Sequence, residues 1–411
     1  INSSDFMLIT TTYLGCLISI LFFFNILPRI SLIILLVLYL SLSYAGQIFM
    51  NFQWDTLLME AGFLALFLSP HSRYSIWLFR WLLFRLRFLS GISKLVTQDP
   101  SWSGLTAVVL YFEVQPLPNW LSWYAHQLPE WLLMSATALT LLIEIVVPFM
   151  MFLPRRYRFI AAWLTIALQV LIMLTSNHNW INLLTIALCL FLFDDQALER
   201  VVPIRLKSWL LSKPLPFNRE RKFYKPAMLI LGSFILFISS VQIYEMLIYQ
   251  RIEGRVGELK RQVQILRLVN QYHVFPTMKT ERLELLIYGS NDGQQWQEYL
   301  FKHKPDQKTQ KPEIIIPHQP RLDWLMWFVT SSPRFMPWFE NFLQALLAGS
   351  PEVLQLLEFN PFADKPPRYL RVDLYRYHFT DRATREKTGD WWTREYLGPF
   401  PPLPYLSTEV N

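Results

Sequence analysis

Long apolar runs, interrupted at intervals by basic residues, fill the first part of the chain. Runs of spanning or near-spanning length cover residues 7–27, 30–50, 52–69, 74–95, 129–153, 158–175, 180–193 and 226–249. A helix needs about 20 such residues to cross a hydrocarbon core, so the pattern predicts a polytopic α-helical membrane bundle of about eight spans over residues 1–249. Past residue 249 the texture changes. Residues 282–288 and 296–302 alternate polar and apolar positions on either side of Ser290-Asn291-Asp292-Gly293, the signature of a hairpin. Residues 320–330, 337–348 and 351–359 each open on proline and read as helices, and 369–379 alternates as a strand. Residues 250–411 are therefore expected to form a small α+β domain outside the membrane.

Basic residues at the ends of the runs set an orientation. Residues 199–225 carry Arg200, Arg205, Lys207, Lys213, Arg219, Arg221, Lys222 and Lys225, which marks a cytoplasmic loop. Alternating back from there puts Arg155, Arg156, Arg158, Arg73 and Arg29 on the same side, residues 177–179 outside, and the C-terminal domain extracytoplasmic. The same alternation leaves Ile1 outside. With neither an initiator methionine nor a cleavable leader, a further span upstream is expected. Residues 96–130, broken by Pro100, Gly104, Pro116, Pro118 and Pro129 and bearing Trp102, Trp120 and Trp123, read as an interfacial extracytoplasmic cap.

Composition narrows the function classes. Hydrophobic residues make up 53% and charged residues only 17% of the 411, against about 25% charged in soluble domains. The net charge of +7 gathers at run ends, where it orients spans, so nucleic-acid binding is excluded. Cys16 and Cys189 both lie inside apolar runs, which leaves no disulfide framework, redox pair or zinc-ligand set. No metal or cofactor is expected.

Ionisable residues inside the apolar part are the candidate sites, because each costs about 2.5 to 3.5 kcal/mol at a bilayer centre unless paired. They are Asp55, Glu60, Arg80, Arg87, Lys94, Glu144 and His178. Gln53, Thr56 and Glu60 share one helical stripe, with Asp55 off it as an N-terminal helix charge. Arg80, Arg87 and Lys94 recur every seven residues on one face, so Glu60 and Glu144 are their natural partners. Arg80 and Arg85 are expected to snorkel to the surface, and His178 reads as a turn residue. In the C-terminal part His318, Gln319, Arg321, Asp323 and Trp324 form the densest polar and aromatic cluster. No Ser or Cys in a strained turn accompanies them, so a hub holding a helix start is expected rather than hydrolase chemistry. Trp324, Trp391 and Trp392 read as core or as an exposed client-binding patch.

Several blocks are distinctive: FQWD (52–55) followed by E-x-G-F-L (60–64), NHNWINLLTIALCLFLFDD (177–195), PHQPRLDWLMWF (317–328), GSPEVLQLLEFNPF (349–362), PPRYLRVDLYRYHFT (366–380) and WWTRE (391–395). Together they resemble the lipase maturation factor family. The resemblance implies a non-enzymatic membrane chaperone that helps secreted lipases reach their active, dimeric form, with membrane lipids and a lipase-like client as partners. It also implies an integral membrane protein of the endoplasmic reticulum, or of the plasma membrane in a bacterium, with the C-terminal domain extracytoplasmic. Separately, RFLSGISKL and DPSWSG, within residues 87–104, are similar to a segment of vitamin K-dependent carboxylases. That likeness implies an alternative, a membrane enzyme using Lys94 as base beside Arg87 on a quinone-like or lipid substrate. A third possibility is transport of a lipid or small molecule along Glu60, Arg87, Lys94 and Glu144.

Overall fold

The structure, a computed structural model, describes residues 4–69, 73–178, 180–203, 208, 224–248, 250–400 and 406–407. Arg205, Lys207, Lys213, Arg219, Arg221 and Lys222 of the basic connection lie outside the described residues. Each of the eight apolar runs contains a helix: Asp5–Phe23, Pro28–Ala45, Gln53–Ala65, Arg73–Val96, Glu130–Ile145, Arg155–Thr175, Ile181–Cys189 and Tyr224–Ile248. Four of them, Asp5–Phe23, Pro28–Ala45, Arg155–Thr175 and Tyr224–Ile248, are long and apolar enough to cross a membrane. Trp120–His126 and Glu130–Ile145, bent by 112°, make a fifth if they count as one span. The other helices fall short for physical reasons. Gln53–Ala65 has 13 residues, which at about 1.5 Å per residue is only two-thirds of a hydrocarbon core. Arg73–Val96 is long enough but carries Arg73, Arg80, Arg85, Arg87 and Lys94.

The chain divides into two compact units, one of residues 1–103, 138–170 and 180–277, the other of residues 104–137, 171–179 and 278–411. At the centre of the first is the Arg73–Val96 helix, which buries Leu78, Leu82, Leu86 and Leu89 at helical spacing. It packs against Gln53–Ala65, Ile181–Cys189 and Tyr224–Ile248. Gly91 lets this helix approach the end of Glu130–Ile145: a Cβ there would lie 2.7 Å from Ile145 Cγ1 and 2.9 Å from the Glu144 backbone. By contrast, Asp5–Phe23 buries none of its residues. A further amphipathic helix, Gly254–Ile265, forms in a stretch whose mixed charge gave no element in the sequence reading. Its Lys260 pairs with Glu245 at 2.5 Å.

The second unit is built on an antiparallel sheet of order β3-β2-β1-β4-β5, with β1 Arg282–Ser290, β2 Gln297–Phe301, β3 Leu357–Phe359, β4 Tyr369–Phe379 and β5 Trp392–Pro399; β6, Leu406–Ser407, adds to β4. β1 and β2 form the expected hairpin. Leu285, Ile287, Leu370 and Val372 face the helices Arg321–Val329 and Met336–Leu347 across a core centred on Phe339, Leu343 and Leu346. The helix expected over 351–359 stops at Leu354, and 357–359 is the edge strand β3. Pairing with β2 overrides the local pattern there. The opposite face of the sheet presents Tyr377 and Trp392, which pack with Phe379, Trp391 and Trp123.

Two stability measurements follow from this packing. Leu343 is fully buried, so Leu343→Ala is expected to cost about 2–5 kcal/mol by denaturant unfolding followed on the C-terminal tryptophans. Gly91→Leu must displace Glu144 or Ile145 and should lower the thermal unfolding midpoint of the detergent-solubilised protein. Gly15→Leu, where nothing lies within 4 Å, should leave that midpoint unchanged.

Candidate functional site

Within the first unit the buried charges converge on one irregular stretch of backbone, residues 269–276. Glu60 is fully buried and forms an ion pair with Arg85, itself fully buried. Its Oε2 also accepts from Asn270 N at 3.0 Å, Asn270 Nδ2 at 3.1 Å and Tyr272 OH at 2.8 Å. Arg85 Nη1 donates to the Asn270 carbonyl at 3.1 Å. Two turns earlier on the same stripe, Gln53 Oε1 accepts from His273 N at 2.9 Å. The Thr56 carbonyl accepts from Asn270 Nδ2 at 3.3 Å. From another helix, Gln242 Nε2 donates to Val269 O at 3.0 Å. The polar stripe read from the sequence is thus a receptor for backbone. Arg85 corrects an expectation: instead of snorkelling it is sequestered, because Glu60 and the Asn270 carbonyl satisfy it better than a stretched path to water.

A second cluster adjoins the same stretch. Glu144 takes both Arg87, at 2.9 Å, and Lys94, at 2.7 Å. Lys94 Nζ also donates to Ser90 O at 2.9 Å and Val274 O at 2.8 Å, with the Trp102 ring 5.0 Å away. An ammonium has three hydrogens, and each faces an acceptor. Arg80, half-buried, donates from Nε to Phe191 O at 2.9 Å. Asp55 is fully buried and caps its own helix, accepting from Phe52 N at 3.3 Å and from Tyr39 OH at 2.7 Å.

The remaining sequence candidates lie in the second unit. His178 meets Tyr111 OH and packs edge-on against Trp324, ring centres 5.7 Å apart. Burial pushes its imidazole down to about 4, so it is neutral at physiological pH. Asp323 accepts from His303 N at 2.8 Å and Lys304 N at 2.9 Å, and burial raises its pKa. Gln319 is buried beside it, Arg321 opens the helix, and His318 is exposed, its ring 6.0 Å from that of His303. Trp324, Trp391 and Trp392 are 2%, 6% and 0% exposed. Of the two readings of these rings, core or exposed patch, their burial fits the core, where their area stabilises most.

Sequence reasoning missed one centre. Arg282, fully buried, donates to the carbonyls of Glu113 at 2.8 Å, Gln115 at 2.5 Å and Pro116 at 3.0 Å, and pairs with Glu284 at 2.6 Å. Beside it Lys304 pairs with Asp306 and lies 3.5 Å from Glu284. Burial works against the Lys304 ammonium, but Asp306 and Glu284 outweigh it and hold its pKa above the ordinary lysine value. Glu113 accepts from Phe379 N at 2.7 Å and meets His378 Nδ1 at 3.0 Å. The available signal was the outward-facing charge at the start of β1, on the face opposite the helix-covered core. Among the described residues, no group of three His, Cys, Asp or Glu side chains is placed to hold a metal ion.

Comparison with known proteins bears on what this arrangement serves. Residues 1–200 match the family model described as the lipase maturation factor transmembrane domain, and residues 268–402 match that of the lipase maturation factor C-terminal domain. Lipase maturation factor 2 of Xenopus laevis is 32% identical over 96% of this chain and 71% of its own length. The Homo sapiens protein of the same name is 31% identical, over 89% of this chain and 67% of its own length. Lipase maturation factor 1 of Mus musculus is 34% identical over 89% of this chain and 68% of its own length. No solved structure matches. The chain, matched by two family models and by relatives at this identity over about two-thirds or more of their length, belongs to the lipase maturation factor family.

Proposed function

We propose that this protein is a membrane-embedded, non-enzymatic maturation factor that assists the folding and assembly of secreted lipases or similar exported proteins. Relatives named for lipase maturation, matched along most of the chain, carry the reading. The chemistry of the apolar part agrees with it. Lys94, which a base mechanism would need free, directs its ammonium at Glu144, Ser90 O and Val274 O and is 3% exposed. Glu60, Arg85, Arg87 and Glu144 are likewise engaged with one another or with backbone. Such groups hold a scaffold together; they offer no vacant acid, base or pathway.

The full arrangement we propose has eight spans, residues 96–130 at the extracytoplasmic interface, and the sheet domain on that same side, in the endoplasmic reticulum membrane of a eukaryotic host. Helices at all eight apolar runs support the count, and the distribution of Lys and Arg supports the orientation. The sheet domain would then share a compartment with its clients, and membrane lipids would surround the unburied Asp5–Phe23 helix.

Two experiments test this. In cells lacking their own maturation factor, Lys94→Met should reduce the amount of folded protein while leaving secreted lipase activity per folded molecule unchanged. Loss of lipase activity at an undiminished protein level would instead make Lys94 a chemical participant. A tag inserted in the surface loop at residues 307–310 should be protected from protease in sealed microsomes, and cleavage without permeabilisation would overturn the orientation.

A further inference from the structure

A cavity of about 540 Å³ in the second unit is walled by Trp123, Tyr124, Arg382, Arg385, Glu386 and Trp391. The Arg385 guanidinium carbon lies over the Trp391 ring, 3.6 Å from its centre, and 4.6 Å from the centre of the Trp123 ring. Its Nη1 donates to Tyr124 OH at 3.2 Å. A guanidinium held against an aromatic face keeps N–H donors that can bond elsewhere. Among the described residues one of its five donors is committed, to Tyr124 OH, and no carboxylate pairs with Arg385 or with Arg382. Lys311, 5.4 Å from the Trp120 ring and 6.0 Å from the Trp391 ring, adds a third positive charge. Glu386 is the single acidic group on the wall.

The wall is joined to a membrane-seeking segment. Trp123 and Tyr124 belong to the helix Trp120–His126, which three residues connect to Glu130–Ile145, the pair that counts as one bent span. Around the bend Tyr124, Leu128, Trp131 and Leu132 are all exposed. Tryptophan and tyrosine at the end of an apolar helix favour headgroup depth, which is the depth of lipid phosphates.

We propose that this cavity binds the headgroup of an anionic aminophospholipid, with the phosphate on the edges of Arg382 and Arg385 and the ammonium against Glu386 and the Tyr124 ring. Two guanidinium groups with Lys311 nearby, against one carboxylate, complement a headgroup that carries two negative charges and one positive, as phosphatidylserine does. Planar guanidinium donors suit the tetrahedral oxyanion in a way that a lone ammonium does not.

The protein in detergent is titrated with dihexanoyl phosphatidylserine, phosphatidylglycerol and phosphatidylcholine and with inorganic phosphate, with adducts read by native mass spectrometry and tryptophan emission. Wild-type protein is expected to retain phosphatidylserine over phosphatidylcholine and to ignore inorganic phosphate at the same concentration. Arg382→Gln, at an exposed position, should weaken phosphatidylserine about tenfold at an unchanged unfolding midpoint, and Arg385→Gln should weaken it further. Glu386→Gln should narrow the preference for phosphatidylserine over phosphatidylglycerol. Equal retention by wild type and Arg382→Gln overturns the proposal, as does displacement of the lipid by inorganic phosphate at equal concentration. Stronger binding of an acidic peptide than of the lipid would also overturn it and make the cavity a protein-docking site.

Discussion

Backbone that is neither helix nor strand must still pair its N–H and C=O groups, and the first unit meets this demand for residues 269–276 with buried side chains. Glu60 and Arg85 are the key pair. The carboxylate takes the Asn270 N–H and the Tyr272 hydroxyl while the guanidinium takes the Asn270 carbonyl, so one ion pair satisfies both polarities of the same peptide region. Removing one member of such a pair strands the other and costs about 3–5 kcal/mol. The arrangement also explains why these charges are tolerated in an apolar helix: their desolvation is offset by hydrogen bonds that the irregular chain needs in any case.

The second unit solves the same problem with the same kind of group. The turn at residues 113–116 would bury three carbonyls without partners, and Arg282 meets all three from the first residue of β1. A guanidinium suits this task because its five donors lie in one plane and stay charged at any physiological pH. Glu284 balances the charge, and the Trp392 ring, 5.1 Å from the guanidinium carbon, completes the enclosure. In both units, then, an arginine beside a carboxylate organises irregular backbone contributed by a distant part of the sequence.

That distance decides what could be read in advance. The eight apolar runs, the β1–β2 hairpin and β4 were legible because each is a repeat of period 3.6 or 2 within a few residues. The stripe of Gln53, Thr56 and Glu60 was legible as a stripe. Its occupant was not, because Asn270 lies 210 residues further on and nothing local marks it. Arg85 was misread for a related reason: its position in a basic, apolar helix suggested a route to water, and only the fold brings a carboxylate and a carbonyl to it. Strand β3 is three residues long, too short for alternation to separate it from the preceding helical turn. β5 follows a short helix and has a mostly exposed face, so its pattern resembles that of a loop.

The distribution of spent and unspent donors bears on function more directly than the presence of charge does. In the apolar part Lys94, Arg87 and Arg85 look like catalytic or transport residues when seen as letters, yet each is held to a carboxylate or a backbone carbonyl within hydrogen-bond or ion-pair reach. A base must release a proton and a transport site must release a ligand, and either step would require breaking contacts that hold residues 269–276 in place. A maturation factor needs neither step from these residues. It needs a membrane part that holds together, which these ion-paired clusters supply, and surfaces elsewhere whose donors remain open to a partner. Arg382 and Arg385 fit the second description, and the contrast between them and Lys94 separates positions that build this protein from positions where it can bind something else.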